Sequence, residues 1–463
     1  MPIGDLAPEL AVLLTAVAIL LLAMVLPRRS HHWCAILAAG GLGLAMIMGW
    51  SQSDAQRLTF SGTQALDGAT TWARIVIPGI TILCVGLAPR WFATDRRHGE
   101  YYAMLLFSTL GALAMAGAAD LMQLVLAVLL SSVTGYVLAA YHRDWAISLE
   151  AGMKYFLVGA LANAILVIGV ILVMGMAGSS DYGELAGSIP NDPLALTGLA
   201  LILIALFFKL GAVPGHTWVP DVAEGAPVPA AAFLTVIPKL AAAVALYRLV
   251  ALAPGVEALP LLIALASAAT MTLGNLCALW QDDVRRLVGW SSVSQSGYAL
   301  MAVAAAGAVP EALPALLGFM TVYGIANLVA FSVVADLRGR TAISGYNGLL
   351  PAQPVAAAAL ALAFLSFAGI PPLAGFLGKF ALFSATLDAG LAWLAIVAVA
   401  NTVLSLFYYL RVIGPAFFSQ PHDGIGTLGG SARAVLWLSV AILIAMTFLW
   451  SPIWSALPAD LLP

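Results

Sequence analysis

Charge is what this chain has least of. Only 9% of its 463 residues are Asp, Glu, Lys or Arg, whereas 62% are hydrophobic. An ordinary soluble domain carries about 25% charged residues. That is too little polar side chain to cover a surface in water, which excludes a soluble globular protein. The formal net charge is −3, so no basic excess points to a nucleic-acid partner. Cysteine is nearly missing. Cys34, Cys84 and Cys277 lie singly in or beside apolar runs, with the spacing of neither a metal site nor a disulfide framework. The first apolar run, Ala11 to Leu26, lacks the basic flank and small-residue cleavage motif of a secretory leader. Asp5 and Glu9 precede it, and it reads as a retained first helix.

The chain does have apolar stretches of about 20 residues, the length that spans a bilayer core, and a mean hydropathy of +1.01. These predict an all-α polytopic membrane protein with about fourteen transmembrane helices. The spans are 8–27, 33–50, 71–89, 101–118, 120–141, 149–177, 194–213, 228–252, 258–279, 284–307, 312–335, 354–387, 390–415 and 433–452. Strands are not expected, because the runs are long and do not alternate. The least regular stretch is 194–252, interrupted by Pro214, Pro220, Pro227, Pro229 and Pro238.

Arginines orient the spans. Arg28 and Arg29 follow helix 1; Arg90, Arg96 and Arg97 follow helix 3; Arg143 follows helix 5. Arg285 and Arg286 follow helix 9, Arg338 and Arg340 follow helix 11, and Arg411 and Arg433 flank the gap after helix 13. All are exits of odd-numbered helices. The other side carries Asp5, Glu9, Asp54, Asp181, Glu184, Asp192, Glu257, Glu311 and Asp388, with only Arg57, Arg74 and Arg248. Positive residues stay on the cytoplasmic side, so both termini are expected outside.

Lysine is used differently. The fifteen arginines sit in loops or near helix ends, but the four lysines, Lys154, Lys209, Lys239 and Lys379, each lie within an apolar segment. A charge at the centre of a membrane helix costs about 2.5–3.5 kcal/mol on insertion scales. Lysine, unlike arginine, can give up its proton to become a neutral amine. A row of buried lysines can therefore pass protons; the plainer readings are snorkelling to the interface or helix clamping by ion pairs.

Two helix breaks accompany the lysines. "GAVPG" follows Lys209 and "GIPPLAGFLG" precedes Lys379. Proline removes a hydrogen-bond donor, and interrupted helices in corresponding places of two halves mark a transport pathway. One lysine stands before its break and the other after it, a reversal expected here to reflect an inverted repeat. The remaining polar residues in apolar surroundings are Asp120, Glu150, His216, Asp221, Glu224, Asn275, Ser294, Gln295, Asn327 and Asn401. Glu150 lies one helical turn before Lys154, close enough to pair. His216 either hands a proton between Lys209 and Lys239 or bonds carbonyls freed by the break.

Several of these stretches resemble a known group. "HTWVPDVAEGAPVPAAAFLTVIPKLAA", from His216 to Ala242, is similar to the signature of the antiporter-like membrane subunits of respiratory complex I. Its "PDVAEGAP" and "IPK" elements look most like the N type, less like the L and M types. "DLMQLVLAVLLSSVTGYVLAAY" from Asp120, "EAGMKYFLVGA" from Glu150, "GNLCALWQDDVRRLVGWSSVSQSGY" from Gly274 and "AGIPPLAGFLGKF" from Ala368 agree. The likeness runs from about residue 70 to 415. It implies about fourteen helices, with helices 4–8 and 9–13 as inverted five-helix repeats and helices 7 and 12 broken. The resulting segments are 1–100 (three helices), 101–252 (first repeat), 253–420 (second repeat) and 421–463 (C-terminal helix).

The resemblance further implies that Lys154, Lys209, Lys239 and Lys379 match the family's proton-path lysines, with His216 and Glu150 as secondary relay or pairing groups. It implies no cofactor in this chain. NADH, FMN, iron–sulfur clusters and quinone would belong to sister subunits. The partners would be membrane subunits of the M, L, K, J and A types, with lipid, in a bacterial inner (plasma) membrane hetero-oligomer. Two departures stand out. The family usually has a glutamate in the fifth helix, within a pattern like "LALELQSL"; here "LAVLLSSV" places Leu129 or a neighbour there, and Glu150 or Asp120 are candidate substitutes. The tenth helix often carries a histidine where Gln295 stands. The expected function is a proton-translocating subunit of NADH–quinone oxidoreductase. The alternatives are a cation/proton antiporter or membrane hydrogenase subunit of the same fold, a structural spacer with an impaired path, or a stand-alone transporter.

Overall fold

The computed structural model describes residues 3–95, 97–187, 189, 192–420 and 429–462. Arg96, used above for orientation, lies outside them. The helices are α1 (Ala7–Val25), α2 (His32–Ser51), α3 (Gly68–Trp91), α4 (His98–Ala116), α5 (Leu121–Ala139), α6 (Ala146–Ala177), α7 (Tyr182–Leu185), α8 (Pro193–Leu210), α9 (Trp218–Gly225) and α10 (Val228–Leu234). They continue as α11 (Ile237–Ala251), α12 (Ala258–Leu279), α13 (Val284–Ala304), α14 (Ala312–Asp336), α15 (Leu349–Ala352), α16 (Pro354–Ala368), α17 (Ala374–Asp388), α18 (Ala392–Phe418), α19 (Ser431–Phe448) and α20 (Trp450–Ala456).

These helices fill the predicted spans in order. The seventh span is filled by α8 alone, with α9 following the break in the gap before the eighth, and the twelfth divides into α16 and α17. Two features differ from the sequence reading. The eighth span is also interrupted, at Thr235 and Val236 between α10 and α11. A short antiparallel hairpin, β1 (Arg57–Thr59) with β2 (Gln64–Leu66), occupies the α2–α3 connection. It is too short for the periodicity that identifies strands, and its turn runs through Phe60, Ser61 and Gly62 at positive φ.

Four aspartates are helix caps, among them Asp192, counted in the sequence reading as loop charge, and Asp120, read there as a polar residue in apolar surroundings. Asp67, Asp120, Asp192 and Asp283 accept backbone N–H bonds at the starts of α3, α5, α8 and α13, each stabilising its helix by about 1 kcal/mol. Asp120 also accepts from Ser180 Oγ at 2.5 Å. Asp120 is thus no substitute for the missing helix-5 acid.

Eleven helices among the described residues are long and apolar enough to cross a membrane. Burial separates centre from rim. The apolar window of Val228–Ala251 is 100% buried and that of Ala312–Asp336 is 94% buried, against 28% for the first helix. So α10, α11 and α14 form the core, while α1, α2 and α6 expose leucine, isoleucine and valine to lipid.

The neighbour relations repeat. In the first group α4 packs on α5, α5 on α6, α6 on both α8 and α9, and α11 on α4 and α8. In the second α12 packs on α13, α13 on α14, α14 on both α16 and α17, and α18 on α12 and α16. Because each group makes an odd number of crossings, the second enters the membrane from the opposite face. The groups meet where α13 contacts α9 and α11, and α14 contacts α10 and α11.

Candidate functional site

The two breaks are built alike. At the first, α8 ends in Gly211 at φ 73, with Ala212 N bonded to Phe207 O (2.8 Å) and Gly211 N to Phe208 O (3.1 Å). At the second, α16 ends in Gly369 at φ 78, with Ile370 N bonded to Leu365 O (3.1 Å) and Gly369 N to Ser366 O (3.0 Å). This is the Schellman closure, which needs a left-handed residue that only glycine adopts without cost. Pro214 and Pro372 follow at the same interval. In this register Lys209 corresponds to Phe367, and Lys379 corresponds to Asp221. The lysines therefore do not correspond to each other, which corrects the expectation that their opposite placement reflects the repeat. An inverted repeat reverses sense across the membrane, not along the chain.

Lys239 is the best-satisfied lysine. It is fully buried, and its ammonium donates to Ser292 Oγ (2.6 Å), Ser292 O (3.0 Å) and Ser296 Oγ (3.1 Å). An ammonium has three hydrogens, and here each has an acceptor. Ser296 Oγ donates in turn to Leu210 O at 2.7 Å, tying the site to the C-terminal end of α8. A Cβ placed on Gly211 would lie 2.9 Å from Lys239 Nζ. A half-helix C-terminus favours a cation, and the glycine lets this one approach.

Lys209 is fully buried and donates to Ser132 Oγ of α5 at 3.0 Å. Ser132 lies three residues beyond Leu129. Lys209 thus meets a neutral hydroxyl one turn along the helix from Leu129, the position where the family pattern has its glutamate. Lys379 is 2% exposed, with Nζ 3.9 Å from the Tyr298 ring centroid. Among the described residues it has no hydrogen-bond partner, and the ring face is its only electrostatic support.

Lys154 departs from the expectation of burial. Its side chain is 46% exposed and pairs with Glu150 (2.7 Å) and Asp221 (3.4 Å). It sits on the flank of α6, in a charge cluster that continues through Arg286 to Asp221 (2.6 Å) and Glu224 (2.7 Å). Glu150 is 63% exposed and is engaged with Lys154, so it does not replace the helix-5 acid beside Lys209. His216 is half-buried with its ring 5.7 Å from Trp290. No hydrogen bond joins it to Lys209 or Lys239, and its Nδ1 has no partner among the described residues.

α13 carries the polar axis. One face holds Ser292 and Ser296; Ser292 Oγ lies 2.6 Å from Tyr323 Oη, which donates to Thr235 O at 2.8 Å. Thr235 Oγ1 reaches Asn327 Oδ1 at 3.1 Å. Thr235 stands at the interruption between α10 and α11, so that break has polar company too. The other face holds Ser291, 2.5 Å from Tyr409 Oη, and Tyr298, 2.9 Å from Thr402 Oγ1. Gln295 lies between them and donates to Phe367 O at 3.1 Å, at the end of α16. A cavity of about 10 Å³ bordered by Gln295, Tyr323, Ser366 and Gly375 separates the Lys239 cluster from the second break. It is about large enough for one water.

Sequence reasoning missed Ser132, Ser292, Ser296 and Tyr298 as lysine partners, and Tyr323 as the partner of Ser292. The "SSVSQS" run was visible, and the i, i+4 spacing of Ser292 and Ser296 places them on one face. Which helix that face meets is not written locally. Three buried arginines were also missed. Arg74 pairs with Glu9 (2.8 Å), Arg248 with Asp67 (2.7 Å), and Arg285 donates to the carbonyls of Ala223 (2.9 Å) and Ala226 at the end of α9. With Arg57 on Asp5 at 2.6 Å, all three arginines opposed to the charge bias are paired with acids.

Comparison with known proteins places this architecture. Residues 118–405 match the family model described as NADH:quinone oxidoreductase/Mrp antiporter, TM. The chain is 40% identical over 440 residues to NADH-quinone oxidoreductase subunit N of Mycobacterium sp. (strain JLS), covering 93% of this chain and 92% of the relative. It is also 40% identical over 447 residues to NADH-quinone oxidoreductase subunit N 1 of Streptomyces griseus, covering 95% and 94%. Among solved structures, a chain of respiratory complex I from Thermus thermophilus matches with TM-score 0.86 and 30% identity, over 98% of this chain and all of that one. A chain of the Mrp complex from Dietzia sp. DQ12-45-1b shares the fold, with TM-score 0.86 at 22% identity over 99% of this chain and 97% of its own. The agreement spans both repeats and both breaks, and the chain belongs to the NADH-quinone oxidoreductase subunit N family, the antiporter-like membrane subunits of complex I.

Proposed function

We propose that this membrane subunit relays protons through Lys209, Lys239 and Lys379 when sister subunits transfer electrons. The observation that carries the reading is the environment of Lys239. It lies at the meeting of the two helix groups, beside the first break, and is held by hydroxyl groups that continue to Tyr323; across a water-sized cavity, Gln295 bonds the end of α16 at the second break. Hydroxyl groups both accept and donate, so a proton leaving the ammonium has a receiving group. The cluster of Glu150, Lys154, Asp221, Glu224 and Arg286 forms a hydrated approach on the side of the arginine excess. Lys379, at the second break, would be the outward exit. In this reading the arginine-rich side is cytoplasmic, both termini are outside, and the host is a bacterial inner membrane. NADH, FMN, iron–sulfur clusters and quinone belong to other subunits, and M-, L-, K-, J- and A-type membrane subunits are the neighbours.

The test is replacement of Lys209 or Lys239 by alanine, with NADH-driven proton uptake into inverted vesicles measured per NADH oxidised. The expected result is a lower proton yield. Unchanged proton yield and unchanged quinone reductase activity in both variants would favour the second reading, a structural spacer. That reading has one specific observation behind it: Lys209 faces Ser132, with no carboxylate in contact among the described residues.

A further inference from the structure

Away from the lysine axis, the exits of α3, α5 and α14 enclose a cavity of about 620 Å³. That volume lies within the 300–1,000 Å³ or so typical of ligand pockets. All three exits lie on one face of the bundle, the face where the arginines collect. Arg97, Arg143 and Arg338 line it. Six other arginines, among them Arg286, Arg411 and Arg433, have a carboxylate partner. These three have none among the described residues. Arg338 instead lies 4.6 Å from the Trp91 ring centroid. Of the two acids at the rim, Asp95 is already occupied, 3.5 Å from His142 Nδ1 and accepting the Arg97 backbone N–H at 2.8 Å. Asp144 leaves the cavity with a net positive lining.

The geometry points to this cavity as the headgroup site of one anionic phospholipid. Guanidinium groups bind phosphate oxygens in pairs, and basic pockets between membrane helices on the cytoplasmic side suit such headgroups. Trp91 and Trp145 place the mouth at headgroup depth, where tryptophan concentrates. Trp145 is the residue from which α6 starts, and directly beneath it Leu149, Met153, Phe156 and Leu157 are 46%, 58%, 48% and 59% exposed. Val137 and Val133 of the adjoining α5 are 44% and 58% exposed. A phosphate held at the arginines therefore has an apolar bed for its acyl chains running into the membrane, which a free anion would not use.

The experiment uses the whole purified complex. Phospholipids retained by complexes carrying this chain, its Arg143→Gln/Arg338→Gln variant, and Arg29→Gln as a charge control are counted by native mass spectrometry. The expected result is one fewer anionic phospholipid on the double variant and no change on the control. Delipidated complex should gain thermal stability with phosphatidylglycerol but not phosphatidylcholine, and the double variant should lose that gain. Arg143→Lys/Arg338→Lys, which keeps the charge but not the paired donors, should retain the lipid weakly, and it serves if the glutamine variant does not assemble. Equal lipid counts in all variants would overturn the assignment. So would an equal stability gain from inorganic phosphate, which would indicate a free-anion site. Loss of a neighbouring subunit at constant lipid count would make the cavity a protein contact instead.

Discussion

Gly211→Ala separates the chemistry of Lys239 from the backbone that surrounds it. The residue sits at φ 73, where an alanine costs about 1–2 kcal/mol. Its Cβ would also stand 2.6 Å from Val219 Cγ2 and 2.9 Å from Lys239 Nζ, so the ammonium must withdraw from the end of α8. Its three bonds, to Ser292 Oγ, Ser292 O and Ser296 Oγ, are 2.6, 3.0 and 3.1 Å long. Losing one such bond to a charged group costs about 1.5–3 kcal/mol. At about 1.4 kcal/mol per decade of rate, that is roughly a ten- to hundredfold slower transfer wherever Lys239 limits the relay. Gly390→Ala is the matched control: φ is 77 and nothing lies within 4 Å of its Cβ, so it carries the same backbone strain and no lysine. The assay is NADH-driven proton uptake in inverted vesicles, with the amount of assembled complex measured alongside. Gly211→Ala should lose proton uptake, and Gly390→Ala should lose only a little stability. If the two variants pump alike at equal assembly, the placement of Lys239 against the half-helix end has no role in transport.

Three further outcomes follow from the same geometry. Asp67→Asn keeps the cap on α3 but leaves the buried Arg248 guanidinium uncompensated; breaking such a pair costs about 3–5 kcal/mol, and the content of assembled complex in the membrane should fall sharply while Asp5→Asn, whose partner Arg57 is exposed, changes it little. Ser132→Ala removes the hydroxyl that Lys209 reaches, and proton yield per NADH should drop, with Ser132→Thr restoring it. In the loop between α5 and α6, His142 Nε2 accepts from Trp91 Nε1 at 3.0 Å, which requires a neutral ring. Burial holds its pKa below the usual histidine value, Arg338 and Arg285 act the same way, and Asp95 only partly opposes them. Because the unfolded chain then binds the proton more readily, stability should be level above about pH 6.5 and decline below it. A thermal-melt series from pH 8 to pH 5 on the complex, with His142→Gln abolishing that part of the decline, checks the sign.

Much of the fold was legible because lipid imposes a simple rule. A backbone in hydrocarbon must satisfy its own hydrogen bonds, so length and apolarity locate helices. The breaks were legible for the same reason, since glycine and proline inside such a run have few other uses. The interruption at Thr235 and Val236 was flagged only by Pro238, which lacks the N–H that would bond Leu234 O, and one proline near a helix start did not set it apart from an unbroken span. Local composition also misjudged Asp120. As an isolated acid near an apolar helix it had the look of a relay group, but it caps α5 and bonds Ser180. Lys154 was grouped with the other lysines by its apolar neighbours, yet it lies on a flank of the chain among charges.

By itself, the sequence determined that this is a polytopic helical membrane protein with two broken helices, and that its lysines are set apart from its arginines. Those conclusions depend on hydropathy, helix length and residue chemistry, which act over one or two turns. Only the tertiary structure decided what each lysine touches: Ser132 for Lys209, Ser292 and Ser296 for Lys239, the Tyr298 ring for Lys379. Those partners come from helices distant in sequence, and which faces meet depends on the packing of the whole bundle.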